Sequence, residues 1–206
     1  MNPLVHYALQ GQGEGRQLKS QFDIYDYEVK FNLVENQTNY GLPIGVFIHL
    51  YYEELAEEIA GYIRNITYPF HVYISTTDEE KKHRIEQAFS AKGVTLVCKV
   101  LPNRGWDVAP RVVGFADEIR KYDICLRLHG KKSTHNPEEF GTQWRTYILD
   151  ELVGSPERVK RIINNLVSRP DLGIIMPRHW DAVRNWIKIG ENYEEMKNLL
   201  TSINIP

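Results

Sequence analysis

Cysteine is scarce: the 206 residues contain two, Cys98 and Cys125, both inside apolar strand-like runs. A secreted scaffold stapled by disulfides would carry more of them, placed in loops, so a reducing cytosolic setting is expected. Net charge is nearly absent as well, with 25 Lys and Arg against 27 Asp and Glu and a formal charge of −2. A general nucleic-acid binder needs a basic excess to neutralise phosphates, so that class is excluded and any anion site must be local. No apolar stretch approaches the roughly 20 residues that span a bilayer. The first residues, Met1-Asn2-Pro3-Leu4-Val5-His6-Tyr7, lack the basic start and apolar run of a secretion signal. A soluble, cytoplasmic protein is expected, with peripheral contact at the inner face of a membrane left open.

Several catalytic signatures are missing too. No two aspartates are separated by a single residue, so an Asp-x-Asp metal pair is absent. His129 and His135 are too far apart for adjacent turns of a helix and bring no third ligand, so no zinc site is expected. There is no Gly-x-Ser-x-Gly elbow, and Cys98 and Cys125 read as core residues rather than nucleophiles. His49 and His71 fall on buried-strand patterns, where a histidine is more often a satisfied core residue than a catalyst. No catalytic base or nucleophile is identified.

What is present is an ordinary globular composition, 42% apolar and 25% charged. Residues 1–40 differ from the rest: Gly11-Gln12-Gly13-Glu14-Gly15 breaks the chain and a polar, tyrosine-rich stretch follows, an N-terminal extension or leader. From residue 41 a regular α/β pattern takes over. Apolar runs at 44–50, 70–75, 94–100, 124–128 and 172–177 predict five strands. Helical spacing predicts helices over 53–66, after Thr77-Asp78-Glu79-Glu80, over the stretch holding Val112, Phe115, Ala116 and Ile119, over that holding Trp144, Tyr147, Ile148 and Leu152, from Ser155-Pro156 onward, and at 191–201. Thr77 with Glu80 has capping-box form, Lys92-Gly93 closes that helix, and Ser155-Pro156 places an N-cap before a proline at the first helical position. Alternation of this kind points to an open, mostly parallel α/β sheet with helices on both faces. Ligands of such sheets sit beyond the carboxyl ends of the strands, at a switch in strand order.

Two strand-end loops carry chemistry. After the third strand comes Asn103-Arg104-Gly105-Trp106-Asp107. Asn and Gly suit a turn and Asp107 suits a helix cap, but Arg104 and Trp106 are not turn formers. A guanidinium beside a helix N-terminus suits an anion or ribose-phosphate. After the fourth strand, read as central, come His129, Gly130, Lys131, Lys132, Ser133 and His135. A solvated basic loop is the plain alternative. At a strand end, however, two lysines and an imidazole suit a diphosphate without a metal, and Gly130 allows close approach. The spacing is not that of a GxxxxGK[ST] loop, which disfavours that ATPase class. Trp144 and Arg145 are placed on a helix packed over this basic loop, Arg145 within reach of a ligand or a surface ion pair.

Taken together, Asn103-Arg104-Gly105-Trp106-Asp107, Tyr122-Asp123-Ile124-Cys125-Leu126-Arg127-Leu128-His129-Gly130-Lys131-Lys132-Ser133, Trp144-Arg145, Leu152-Val153-Gly154-Ser155-Pro156 and Leu172-Gly173-Ile174-Ile175-Met176-Pro177 resemble the rhamnan synthesis protein F family. The resemblance implies a GT-A-like nucleotide-diphospho-sugar transferase fold over residues 41–206. It also implies a glycosyltransferase, a rhamnosyltransferase, of cell-wall or O-antigen polysaccharide synthesis. Its donor would be a nucleotide-diphospho-sugar such as dTDP-rhamnose and its acceptor a saccharide, lipid-linked or free. The donor-binding set it implies is Asn103, Arg104, Gly105, Asp107, His129, Gly130, Lys131, Lys132, Ser133, Trp144 and Arg145. Where most GT-A enzymes place Asp-x-Asp and a metal, this chain has His129-Gly130-Lys131, so fixed cations in place of a metal cofactor are expected. Family domains continue past the fifth strand to shape the acceptor side, so a fragment or shortened domain is expected. The alternative is a non-catalytic module that binds sugar-nucleotide or polysaccharide within a larger synthesis protein.

Overall fold

The computed structural model describes residues 40–130, 132, 137–184 and 192–202. The expected leader lies, apart from Tyr40, outside them. The chain divides into two units, Gly41–Lys160 with Met176–Pro206, and Arg161–Ile175 with Met1–Tyr40. The first holds the sheet. The second, where described, carries the end of one helix and a turn closed by Leu172 N–H donating to the Arg169 carbonyl at 3.0 Å.

Among the described residues the sheet has four parallel strands, β1 (Ile44–His49), β2 (Phe70–Thr76), β3 (Leu96–Val100) and β4 (Cys125–His129), in the order β3-β2-β1-β4. The α/β architecture with an open parallel sheet is as expected and is consistent with a GT-A-like fold. One expectation fails in position: β4 is an edge strand, not a central one. It pairs with β1 alone, Gly45 facing Cys125 and His49 facing His129. From β1 the chain steps outward to β2 and β3, then returns across both to reach the far side of β1. The strand order therefore reverses between β1 and β4.

Right-handed crossovers run in opposite directions put their helices on opposite faces. Val46, Ile48, Val72 and Ile74 form one face and are at most 2% exposed. Helices α1 (Ala56–Ile63) and α2 (Glu79–Ala91) cover it. Ala56, Ile59, Ala60 and Ile63 recur at helical spacing, and Ile85 and Phe89 are wholly buried. Asp78, not Thr77, caps α2: its extended backbone lets the carboxylate accept from Lys81 N–H at 2.9 Å. Thr77 instead donates to that carboxylate at 3.3 Å. Gly93, at φ 71°, ends the turn after α2 as expected.

Phe47, Tyr73 and their neighbours form the other face. The β3–β4 crossover lies over it, since Phe115 meets Phe47 and Tyr73 with ring centroids 6.0 and 5.7 Å apart. The single helix expected here is two short ones, α3 (Ala109–Val112) and α4 (Ala116–Ile119). A break at Gly114, where a Cβ would meet the Pro110 carbonyl at 2.4 Å, turns Phe115 inward and leaves Val112 and Val113 exposed.

Helices α5 (Glu138–Val153) and α6 (Pro156–Ser168) follow, then α7 (Asp181–Arg184) and α8 (Asn192–Ser202). The buried stripe of α5 is Gly141, Arg145, Leu149 and Val153, shifted from the predicted Trp144, Tyr147, Ile148 and Leu152, which are half-buried. An ionic partner makes the shift possible: Arg145 Nε donates to Glu58 of α1 at 2.8 Å. Tyr62 donates to Asp150 at 2.8 Å and Asn65 to the Val153 carbonyl at 2.7 Å, fastening the same pair of helices. Ser155 caps α6 as predicted, its Oγ accepting from Arg158 N–H at 3.2 Å. The predicted fifth strand is not formed: residues 172–180 carry no strand assignment and pair with no strand among the described residues, and Ile174 and Met176 are 77% and 68% exposed. An apolar run does not by itself define a strand. Here Gly173 weakens one, and Pro177 lacks the N–H a ladder needs.

Candidate functional site

The switch between β1 and β4 places His49 and His129 side by side at the carboxyl edge, with Ser75 of β2 on the other flank of His49. All three lie on the face under the crossover, because positions 45, 47 and 49 share one side of a strand. Toward the amino end this face is aromatic. Phe47 stacks on Tyr73 at 5.1 Å, and Tyr122 O–H pairs with Tyr73 O–H at 2.7 Å and with His71 Nδ1 at 2.8 Å. Burial, with the bond to Tyr73, pushes the Tyr122 phenol above its ordinary range. Gly45 is required: a Cβ there would lie 2.7 Å from ring carbons of both Phe47 and Tyr122.

Toward the carboxyl end the face becomes polar. His49 Nδ1 and the buried Ser75 Oγ are 2.9 Å apart. Burial lowers the His49 pKa, and a hydrogen bond with the Ser75 backbone offsets part of that. Asp107, arriving from the β3 loop, accepts from Arg127 of β4 and lies 3.5 Å from His129 Nδ1. The loop after β3 thus crosses the sheet to reach β4 at the opposite edge. Asp107 was expected to cap a helix; the residue before α3 is Val108, and no side chain caps it. Arg111 lies beside this ion pair, its Nε buried without a hydrogen-bond partner among the described residues.

His49, Ser75, Asp107, Arg111, Phe115 and Arg127 line a cavity of about 10 Å³, room for roughly one water. The cavity itself has no room for anything larger. Two guanidiniums and an imidazole around a single carboxylate suit an anion, and they oppose a divalent cation. Among the described residues no group of three or more His, Cys, Asp or Glu side chains is placed to hold a metal.

The sequence-predicted residues fall into three sets. Asp107 and His129 meet at the switch point. Asn103 and Arg104 are exposed in the same loop as Asp107, and Gly105, at φ 73°, makes its turn, where a Cβ would strike that of Ala109 at 2.4 Å. Gly130 serves packing, since its Cβ would lie 3.0 Å from Leu50 and 3.3 Å from Leu55. Elsewhere, Lys132 donates to Glu54 and lies over the Tyr52 ring at 5.0 Å, which holds the Glu54 carboxyl below its usual range. Arg145 is buried against Glu58, and Trp144 meets Phe140 edge-on at 6.3 Å. Lys131, Ser133 and His135 lie outside the described residues.

Four residues escaped sequence reasoning: His49, Ser75, Arg111 and Arg127. The one available signal was the alternation in Cys125-Leu126-Arg127-Leu128-His129, which puts Arg127 and His129 on one face.

The rhamnan synthesis protein F model matches residues 17–205. The chain belongs to that family. Membership ties this rhamnan synthesis family protein to the making of rhamnose polysaccharide, and the match spans all four strands. No curated protein and no solved structure matches the chain. Among the described residues of this family member, no helix is long and apolar enough to cross a membrane.

Proposed function

We propose that the chain is a glycosyltransferase of rhamnan synthesis that takes rhamnose from a nucleotide-diphospho donor such as dTDP-rhamnose. The donor diphosphate lies at the mouth between β1 and β4, over Arg127, Arg111 and His129. The observation that carries this is the pairing of Asp107 with Arg127 at the switch point: a carboxylate already occupies the place where a phosphate oxygen would accept from the same guanidinium. Both Asp107 and Arg127 are part-exposed, at 25% and 37%, so the pair contributes only about 0–1 kcal/mol to stability and yields to a more highly charged anion.

As the bond from the anomeric carbon to the phosphate oxygen breaks, negative charge grows on the leaving diphosphate. Guanidiniums fixed in advance at that point stabilise it without reorganising. On this reading they do so without a metal. Asn103, Arg104 and Lys131 contribute from the two loops toward the nucleotide and phosphates. Lys132, with its Glu54 partner, marks the rim. Acceptor activation is assigned to no residue.

The test is calorimetric titration of the chain with dTDP-rhamnose, followed by mass spectrometry of products with an oligosaccharide acceptor. Arg127→Gln is expected to weaken donor binding and to lower turnover about 10²-fold, the scale of losing one preorganised electrostatic contact. Chelator is expected to leave both unchanged; rescue of a chelator-treated sample by manganese would end the metal-free reading. Donor binding with no turnover under any condition would favour the non-catalytic module.

A further inference from the structure

Trp106 is the most exposed large apolar side chain among the described residues, at 87%, and the one non-glycine there with positive φ, 55°. We propose that its indole is the platform on which the saccharide acceptor, a rhamnose-bearing glycan, stacks at the mouth of the donor site. This rests on the transferase reading above and supplies its acceptor side.

Backbone geometry fixes where the ring stands. Gly105 and Trp106 are left-handed in succession, and the Gly105 carbonyl accepts from Val108 N–H at 3.2 Å and Ala109 N–H at 3.0 Å. This turn directs Asp107 to Arg127 while the preceding indole is left in solvent. If the turn alone mattered, Gly or Asn would adopt it with less strain. A bulky side chain in this conformation, unsheltered as well, indicates that the ring itself is used.

The ring's surroundings narrow the ligand. An exposed indole offers a flat, electron-rich face, which complements the C–H face of a pyranose, and a 6-deoxyhexose adds a methyl group to that face. Hydroxyls at the sugar edge need polar partners, and Asn103 and Arg104 are exposed in the same loop. Val108, Val112 and Val113 are also exposed, but a lipid-facing ridge would not require a strained backbone at Trp106 alone.

The full chain is titrated separately with a synthetic oligorhamnoside, with dTDP-rhamnose and with anionic lipid vesicles, read by tryptophan fluorescence and saturation-transfer NMR. Trp106→Gly removes the ring and the strain together, so its melting temperature should hold or rise. It is expected to weaken the oligorhamnoside at least about ten-fold and to keep dTDP-rhamnose affinity within about two-fold of the wild type. Trp106→Phe should recover part of the loss. Unchanged oligorhamnoside affinity in Trp106→Gly overturns the proposal. So does a loss confined to dTDP-rhamnose, which would make the ring a nucleobase platform, or one confined to vesicles, which would make it a membrane contact. If the wild type ignores dTDP-rhamnose yet binds oligorhamnoside through Trp106, the platform stands and the donor reading falls.

Discussion

The two faces of the sheet are built from alternate residues of the same strands, yet they differ in kind. Beneath α1 and α2 the strands present Val46, Ile48, Val72 and Ile74, sealed from solvent. Beneath the crossover the same strands present Gly45, Phe47 and His49, then Tyr73 and Ser75, then Arg127 and His129. The first face is apolar but for the buried Thr76 at the end of β2. The second grades along the strand direction, from stacked rings at the amino end to a histidine, a serine and an ion pair at the carboxyl end. The packed core thus comprises the first face and the aromatic amino end of the second, and it is set apart from the polar carboxyl end of the second, which lets one be perturbed with little effect on the other.

That separation can be broken from the stabilising side first. Phe89→Ala empties a wholly buried position in α2 and should cost about 3–5 kcal/mol in urea unfolding, while the folded fraction keeps its donor affinity. A fall in affinity of the folded fraction would show that the faces are coupled. Gly45→Ala comes next: it drives a methyl group into the Phe47 and Tyr122 rings and should cost about 1–3 kcal/mol by thermal melting. A neutral result would mean that the ring stack is pliable.

At the carboxyl end the balance inverts. Arg127→Gln should change stability by less than about 1 kcal/mol and yet weaken dTDP-rhamnose in calorimetry, the reverse of Phe89→Ala. The smallest effect concerns pH. Burial lowers the His49 pKa below its ordinary 6.5, so the unfolded chain binds a proton there before the folded one does. Stability from neutral His49 is therefore complete above pH 6.5 and is lost as pH falls through the depressed folded value. His49→Asn should flatten that slope in denaturant midpoints measured from pH 7.5 down to 5; an unaltered slope would place the titration elsewhere.

Much of this arrangement was legible in the residues. Four strands, the capped start of α6 at Ser155 and the glycine stop after α2 all follow from short-range patterns, and those are read directly. Strand order was not legible, because nothing local in Cys125-Leu126-Arg127-Leu128-His129 says which neighbour it will find. Its alternation marks only a strand with one face less buried than the other. Lys132 reads in sequence as a ligand cation and Arg145 as reaching either a ligand or an ion pair; each is placed by a glutamate from the segment after β1, Glu54 and Glu58, and the identity of such a long-range partner leaves no mark in sequence. His49 is half-buried and hydrogen-bonded to Ser75, as its strand pattern suggests, but only strand order shows that it stands at the switch point.

The return of the chain from β3 past β2 to β1 also dictates when the anion site comes into being. The pairings of β1 with β2 and of β2 with β3 each close over one helix, whereas Gly45 meets Cys125 only after the whole intervening stretch has been made. Closing that longer loop carries the larger entropic cost. A chain ending short of β4 holds Asp107 and Arg111 but not Arg127. On the donor-site proposal, affinity for the diphosphate would be completed only when the last strand docks.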